Sequence, residues 1–277
     1  MHTVIANGAA IPALGFGTWT LKDAQAERLV ASAIDAGYRH VDTAASYGNE
    51  VDVGKGIRRS GVDRDDLFVT TKVWHTELAD GRLQDSAAES LDRLALDKVD
   101  LLLIHWPPTN GPSVEEAVAA LNDAKDRGYA RHVGVSNFTT DLLARALAAS
   151  RHPLVANQCE YHPWLDQDRV LGAVRAAGMA FVSYCPLARG GDAFAEPAIA
   201  DAAKAHGRTP AQIVLRWHVQ QQGVVAIPRT SNEGRARENI AIFDFALSEA
   251  EMAAISALRN KPHRICDFDF SPRWDAA

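Results

Sequence analysis

Apolar and polar positions along this chain switch between two periods, and the switching predicts the elements. The opening run Thr3-Val4-Ile5-Ala6-Asn7-Gly8-Ala9-Ala10-Ile11-Pro12 sets two short apolar stretches either side of Asn7-Gly8. That dipeptide is a strong hairpin signal, because both of its residues accept positive φ. Beyond it, stretches with helical spacing of apolar residues alternate with short runs rich in Val, Ile and Leu. Helices are predicted over residues 23–36, 49–59, 83–94, 113–127, 141–149, 167–177, 197–206, 210–221 and 233–240. Strands are predicted to end at Asp42, Lys72, His105, Ser136, Gln158, Tyr184, Pro228 and Phe245. The first helix is expected to start on Asp23 as a cap and to stop at Gly37, with a second stop near Gly61.

Short apolar strands suit a sheet covered on both faces, and strand–helix alternation implies parallel pairing through crossovers. Eight such units close most economically as a (β/α)8 barrel, the TIM-barrel form of the α/β class. The eighth strand in this reading is Ile242-Phe243-Asp244-Phe245. A doubly wound sheet would instead show a phosphate-binding glycine loop after its first strand. Gly15-Phe16-Gly17-Thr18-Trp19-Thr20 lacks the third glycine and follows no obvious long strand. With no linker or low-complexity segment, residues 1–277 are expected to form one barrel domain with an N-terminal hairpin. The aperiodic tail after Asn260 is expected to lie over one barrel face, the mouth.

Composition narrows the function classes. A net charge of −6 argues against a general nucleic-acid surface. No apolar stretch approaches the roughly 20 residues of a membrane span, and the N-terminus lacks the regions of a signal peptide. Cys159, Cys185 and Cys266 are odd in number and widely spaced, which suggests reduced thiols in a cytoplasmic protein.

Four polar residues sit where predicted strands run out. Asp42, Lys72 and His105 end successive strands, and Tyr47 lies in the loop after Asp42. In a parallel barrel all strand C-termini open onto one face, so an acid, a phenol, an ammonium and an imidazole would converge there. A phenol normally ionises near pH 10, and an adjacent ammonium makes it a better acid. Lys72 can supply that charge, with Asp42 as its counter-ion. His105 can donate to a carbonyl oxygen and hold it near Tyr47. None of these groups carries a hydride, so a carbonyl site of this kind implies a nicotinamide cofactor. Taken singly, each residue has a plainer reading as packing or as a solvated rim.

Several motifs in order resemble one family. Gly37-Tyr38-Arg39-His40-Val41-Asp42-Thr43-Ala44 with Tyr47-Gly48-Asn49-Glu50 is similar to the signature of the aldo-keto reductases. So are Thr71-Lys72-Val73-Trp74, Asp100-Leu101-Leu102-Leu103-Ile104-His105-Trp106-Pro107 and Gly134-Val135-Ser136-Asn137-Phe138. The resemblance spans about residues 15–258 and implies a (β/α)8 barrel that reduces carbonyls. It implies Tyr47 as general acid, Lys72 and Asp42 as its tuning pair, and His105 as the carbonyl-orienting residue. For NADP(H) it implies Ser136, Asn137 and Gln158 at the carboxamide, Tyr184 under the ring, and Leu187 and Thr18 along the cofactor. Arg229, Thr230, Ser231, Asn232, Arg235, Glu238 and Asn239 match the segment around the 2′-phosphate. Arg229 stands where the family usually has lysine, which keeps the charge but changes the geometry. NADPH is expected over NADH, although Glu233 could weaken phosphate binding.

Trp19, Trp74 and Trp106 are implied as walls of a pocket for a small carbonyl substrate. Trp164 reads equally as pocket or core. The short tail resembles those of bacterial members such as the diketogluconate reductases. A monomer is expected, since the family is often monomeric and no heptad or apolar stripe is visible. Two alternatives stand beside this reading. His40-Val41-Asp42 could begin a metal-dependent hydrolase site, although no second ligand cluster follows, so no metal is expected. A non-catalytic NADP(H) sensor is the other, although a sensor needs no proton donor.

Overall fold

The computed structural model describes residues 1–260 and 264–275. Residues 261–263 and 276–277, which belong to the predicted tail, lie outside the described residues. The chain opens with the predicted hairpin, β1 (Thr3–Ala6) against β2 (Ala9–Pro12), antiparallel with Ala6 opposite Ala9. Asn7 and Gly8 take φ of 44° and 89°, as the tight turn demands. Asn7 Nδ2 donates to Leu154 O at 2.8 Å and Ala177 O at 3.0 Å, seating the hairpin at the N-terminal end of the barrel strands.

Eight parallel strands follow in consecutive order. They are β3 (Phe16–Gly17), β4 (His40–Asp42), β5 (Phe68–Val73) and β6 (Val99–Ile104). Then come β7 (Ala130–Ser136), β8 (Leu154–Glu160), β9 (Ala180–Tyr184) and β10 (Val224–Ala226). Beside β3, Leu14 bridges Ala226 in parallel, and Gly15 N donates to Ala226 O at 2.8 Å. These bonds join the first strand region to the last, giving the TIM-barrel fold.

Two strands differ from the sequence expectation. The barrel's first strand is the two-residue β3, inside the glycine-flanked segment that had read only as a weak phosphate loop. Residues 242–245 join no ladder. Ile242 is buried, but its carbonyl accepts from Arg216 Nη1 at 3.2 Å, and the Arg208 guanidinium lies 5.2 Å from the Phe245 ring centroid. Contact with outer helices satisfies this apolar run, so it needs no place in the sheet.

The helices are α1 (Asp23–Asp35), α2 (Glu50–Arg59), α3 (Arg82–Leu94), α4 (Val114–Asp126) and α5 (Thr140–Ala149). They continue with α6 (Asp168–Ala176), α7 (Pro197–His206), α8 (Pro210–Gln220), α9 (Glu233–Ile240) and α10 (Glu249–Ser256). Asp23 is not a cap: Lys22 holds that position without a side-chain cap bond, and Asp23 is the first helical residue. Ser113, Thr209 and Ser248 do cap, each with a reciprocal bond from the residue three on. Helix α10 escapes prediction because only Ile255 of it is fully buried, so no apolar stripe marks it.

Every residue of β6 is buried, between the barrel interior and the helical layer. Each large aliphatic side chain there contributes about 1.5–3 kcal/mol, and Leu103→Ala would cost about 2–5 kcal/mol. No helix among the described residues is long and apolar enough to cross a membrane.

Candidate active site

The strand ends gather the four polar residues as expected. Asp42 closes β4, Lys72 is the penultimate residue of β5, and His105 follows β6 directly. Lys72 is 0% exposed, and its Nζ donates to Asp42 Oδ1 at 2.6 Å, Thr43 O at 2.8 Å and Tyr47 Oη at 3.3 Å. The second oxygen of Asp42 accepts from Gln158 Nε2 at 2.8 Å, a bond that crosses from β8. The buried pair is therefore compensated at every turn, and removing either charge would strand the other.

Tyr47 is placed by a single 3-10 turn over Ala45–Tyr47, which Gly48 ends at φ 65°. A side chain at Gly48 would be strained there. Lys22 Nζ holds the turn by donating to Tyr47 O at 2.9 Å. Buried Asn49 fixes its far side, donating to Thr18 O at 2.8 Å and Leu21 O at 3.0 Å while accepting from Thr43 Oγ1 at 3.0 Å. The Tyr47 and His105 rings meet edge to face with centroids 5.6 Å apart. Ser46 Oγ lies 3.3 Å from His105 Nδ1, and Asn137 Nδ2 donates to His105 O at 2.9 Å.

Burial pulls the Lys72 ammonium down, but Asp42 and Tyr47 outweigh it, and the net pKa is raised. Burial raises the Tyr47 phenol, Lys72 opposes this, Asp42 adds to it, and the net pKa lies above its ordinary value. This corrects the sequence expectation of an acidified phenol: the ammonium offsets burial without overcoming it. Tyr47 is therefore proton-loaded at neutral pH. Burial, helped by Lys72 and His75, holds His105 well below its usual range, so its ring is neutral at pH 7.

Lys72 stands behind this cluster, while Asp42, Tyr47 and His105 line a cleft of about 1140 Å³. Thr18, Asn137, Gln158, Tyr184 and Leu187 line the same cleft. Ser136 sits one layer back and donates to Gln158 O at 2.8 Å. Tyr184 Oη donates to Asn137 Oδ1 at 2.8 Å, which ties the ring of β9 to the end of β7.

Arg229, Thr230, Ser231, Arg235, Glu238 and Asn239 also line the cleft. Asn232 lies behind them as the cap of α9, its Oδ1 accepting from Arg235 N at 3.0 Å. Glu238 accepts from Thr209 Oγ1 at 2.7 Å, and Glu233 pairs with Arg28 at 3.0 Å. Glu233 is thus balanced by a cation of its own. Two arginines, two hydroxyls and a helix start make a donor set that fits a phosphate monoester. Asn137 and Gln158 add side-chain amides to the same lining, so the cleft as a whole carries donors and acceptors that fit a dinucleotide.

Trp19, Trp74 and Trp106 wall the mouth, with Trp19 45% exposed. Trp164 is buried in the core and does not line the cleft. The remaining wall comes from the tail, residues 264–275, which lies over the mouth as expected, although its Phe268 and Phe270 were not singled out as wall residues. Phe270 meets Trp74 at 5.4 Å and Trp106 at 5.3 Å, and Phe268 stacks on Phe270 at 5.2 Å. The alternation Phe268-Asp269-Phe270 was the available signal. Glu160, the last residue of β8, anchors the tail: its carboxylate accepts from Ile265 N at 2.6 Å, Cys266 N at 2.7 Å and His162 Nε2 at 3.0 Å. The tail's far end is tied by Asp275, which accepts from Thr140 N at 2.9 Å and Thr140 Oγ1 at 2.7 Å.

His40 does not join Asp42 at a ligand site. Its Nε2 lies 3.1 Å from Thr70 Oγ1, and Asp42 is taken by Lys72 and Gln158. Among the described residues no group of three His, Cys, Asp or Glu side chains is arranged to hold a metal ion.

Comparison with known proteins agrees with this geometry. A family model described as the aldo/keto reductase family matches residues 13–260. The chain is 42% identical over 264 residues to morphine 6-dehydrogenase of Pseudomonas putida, covering 91% of this chain and 89% of that one. It is 40% identical over 268 residues to a methylglyoxal reductase of Yersinia pestis, covering 96% and 100%. A crystal structure provisionally named 2,5-diketo-D-gluconic acid reductase B superposes with a TM-score of 0.95 at 45% identity, covering 100% and 98%.

Proposed function

The chain belongs to the aldo/keto reductase family, and from that premise we propose that it reduces an aldehyde or ketone to the alcohol at the expense of NADPH, with Tyr47 giving the proton. The family generally uses a nicotinamide cofactor, which when bound supplies the hydride. The observation that carries the reading is the bond from the Lys72 ammonium to the Tyr47 hydroxyl, 3.3 Å, in a buried pair closed by Asp42.

In this reading the neutral His105 ring and the Tyr47 hydroxyl meet a carbonyl oxygen from two sides. Both donate to it, and charge that builds there is met by pre-aligned donors rather than by water. Tyr47 then passes its proton to the alkoxide, and Lys72 stabilises the phenolate left behind. A positioned acid of this kind contributes about 10²–10⁴ in rate. Asp42 keeps Lys72 charged and aimed, and Gln158 keeps Asp42 aimed. Arg229, Arg235, Thr230 and the start of α9 favour a 2′-phosphate, hence NADPH over NADH.

The names of the relatives span an alkaloid, a dicarbonyl and a sugar acid, so they leave the natural substrate open. The mouth itself, walled by Trp19, Trp74, Trp106 and Phe270, suits apolar or flat carbonyls. The test is oxidation of NADPH with a reactive aromatic aldehyde, run beside NADH, with the alcohol product identified. Stoichiometric alcohol and faster turnover with NADPH are expected. Folded protein that binds NADPH yet yields no alcohol over a broad carbonyl panel would instead support a sensor.

A further inference from the structure

The proposed reaction asks His105 to donate a hydrogen bond, and a neutral imidazole has only one N–H to give. Burial, helped by Lys72 and His75, keeps the ring neutral at pH 7. Packing fixes where the ring lies. Asn137 Nδ2 bonds the His105 carbonyl at 2.9 Å, and the Tyr47 and Trp74 rings meet the imidazole edge to face, with centroids 5.6 and 5.1 Å away. None of these contacts decides which ring nitrogen carries the proton. One contact does bear on it: Ser46 Oγ lies 3.3 Å from Nδ1. Among the described residues this is the one hydrogen bond of the imidazole and the one hydrogen bond of the Ser46 hydroxyl. Nε2 is thus left without a protein partner, on a residue that lines the cleft.

We propose that Ser46 is a positioning residue: its hydroxyl donates to His105 Nδ1, which fixes the ring proton on Nε2 and makes that nitrogen the donor to the substrate oxygen. The inference rests on the role proposed for His105 above. Ser46 arrives on the same 3-10 turn, Ala45–Tyr47, that places the Tyr47 hydroxyl, and both residues line the cleft. One short turn would therefore deliver the acid itself and the group that sets the tautomer of its neighbour.

A hydroxyl can donate or accept, so two arrangements are open to this pair. If Nδ1–H donated to Ser46, Nε2 would carry a bare lone pair. It would repel a carbonyl oxygen, and repel it more as negative charge grows there. If Ser46 donates to Nδ1, Nε2–H can meet the oxygen, and the hydroxyl oxygen of Ser46 stays free to accept from solvent. The two bonds then run in one direction, from hydroxyl to Nδ1 and from Nε2 to the substrate. Charge growing on the substrate oxygen draws on Nε2–H and makes Nδ1 a better acceptor, so each bond strengthens the other. No proton passes through Ser46; Tyr47 remains its source. Because Ser46 is exposed and makes no other hydrogen bond among the described residues, its loss should leave the fold intact.

The experiment records nitrogen-15 to proton correlation spectra of the full chain, labelled at histidine, at neutral pH and without substrate. His105 is assigned by the signals missing from His105→Gln. The expected result is a protonated Nε2 and an unprotonated Nδ1 whose shift shows an accepted hydrogen bond. In Ser46→Ala the Nδ1 signal should move and a share of the Nδ1–H tautomer should appear. Carbonyl turnover should fall about three- to tenfold in kcat with NADPH affinity unchanged, and Ser46→Thr should restore both the spectrum and the rate. A wild-type His105 protonated on Nδ1 would overturn the proposal, as would a tautomer that Ser46→Ala leaves unchanged. A tautomer that shifts in Ser46→Ala with kcat unaltered would uphold Ser46 as the group that sets the ring and remove His105 as the carbonyl donor, so the two readings fail separately.

Discussion

The cleft has two unlike walls. On one side, Asp42, Lys72, His105 and Gln158 sit on or next to strand ends of a closed barrel, and each is tied by at least one bond to another strand or the loop that follows it. On the other, the tail covers the mouth with Phe268 and Phe270 and is held at Glu160 and Thr140. Sheet register fixes the first wall to within the play of a hydrogen-bond network. The second is fixed at two clasps, with aromatic contacts between them. A barrel that keeps its proton chemistry on strands and its substrate wall on a tail can change the second without disturbing the first.

The sharpest way to break that contrast is at the strand wall. Tyr47→Phe should lower kcat by about 10²–10⁴ while NADPH binding, read by fluorescence, stays within a factor of about two. Retained turnover would remove Tyr47 as the donor. Lys72→Met should leave Asp42 buried without its cation and destabilise the fold by about 3–5 kcal/mol in urea titrations. A loss of activity with unchanged stability would mean that the pair is more solvated than its burial suggests.

At the phosphate end, Arg235→Ala should weaken NADPH by about tenfold and NADH far less. Equal losses would remove the 2′-phosphate assignment. At the tail wall the effects should be smaller and of another kind. Glu160→Gln keeps one acceptor for two backbone donors, so KM for a bulky carbonyl should rise by about three- to tenfold with kcat nearly unchanged. A fall in kcat alone would show that the tail does more than bound the pocket.

Acid should loosen the tail through the same carboxylate. Burial pushes Glu160 up, but its bonds from His162, Ile265 N and Cys266 N outweigh this, and its net pKa is lowered. A lowered carboxyl contributes stability in full above its unfolded value of about 4.3 and loses it as pH falls through the folded value. Exchange at the Ile265 and Cys266 amides, corrected for its intrinsic pH dependence, should therefore quicken below that point before the barrel unfolds.

The same division explains what could be read from the chain. Asp42, Lys72 and His105 were legible because each ends an apolar run with a polar residue, a break in pattern that barrel topology turns into a location. Phe16–Gly17 was not, since two residues show no period and neighbouring glycines read as loop. Residues 242–245 misled because an apolar run looks the same whether it joins a sheet or lies on helices. Glu160 and the Cys266 backbone meet only through long-range folding, and no local spacing announces that. The net rise in the Tyr47 pKa was also hidden, because sequence gives the ammonium but not the depth of burial that opposes it.

The most direct test of the proposed proton donor is the pH dependence of kcat/KM for carbonyl reduction with saturating NADPH. A general acid works only while protonated, and the raised Tyr47 pKa places its loss on the alkaline side of about 10. His105 is already neutral far below pH 6.5 and should add no inflection there. The expected profile is level through neutrality and falls only at high pH. A profile that instead drops as pH rises through about 6.5 would make an imidazolium the donor and contradict the assignment to Tyr47.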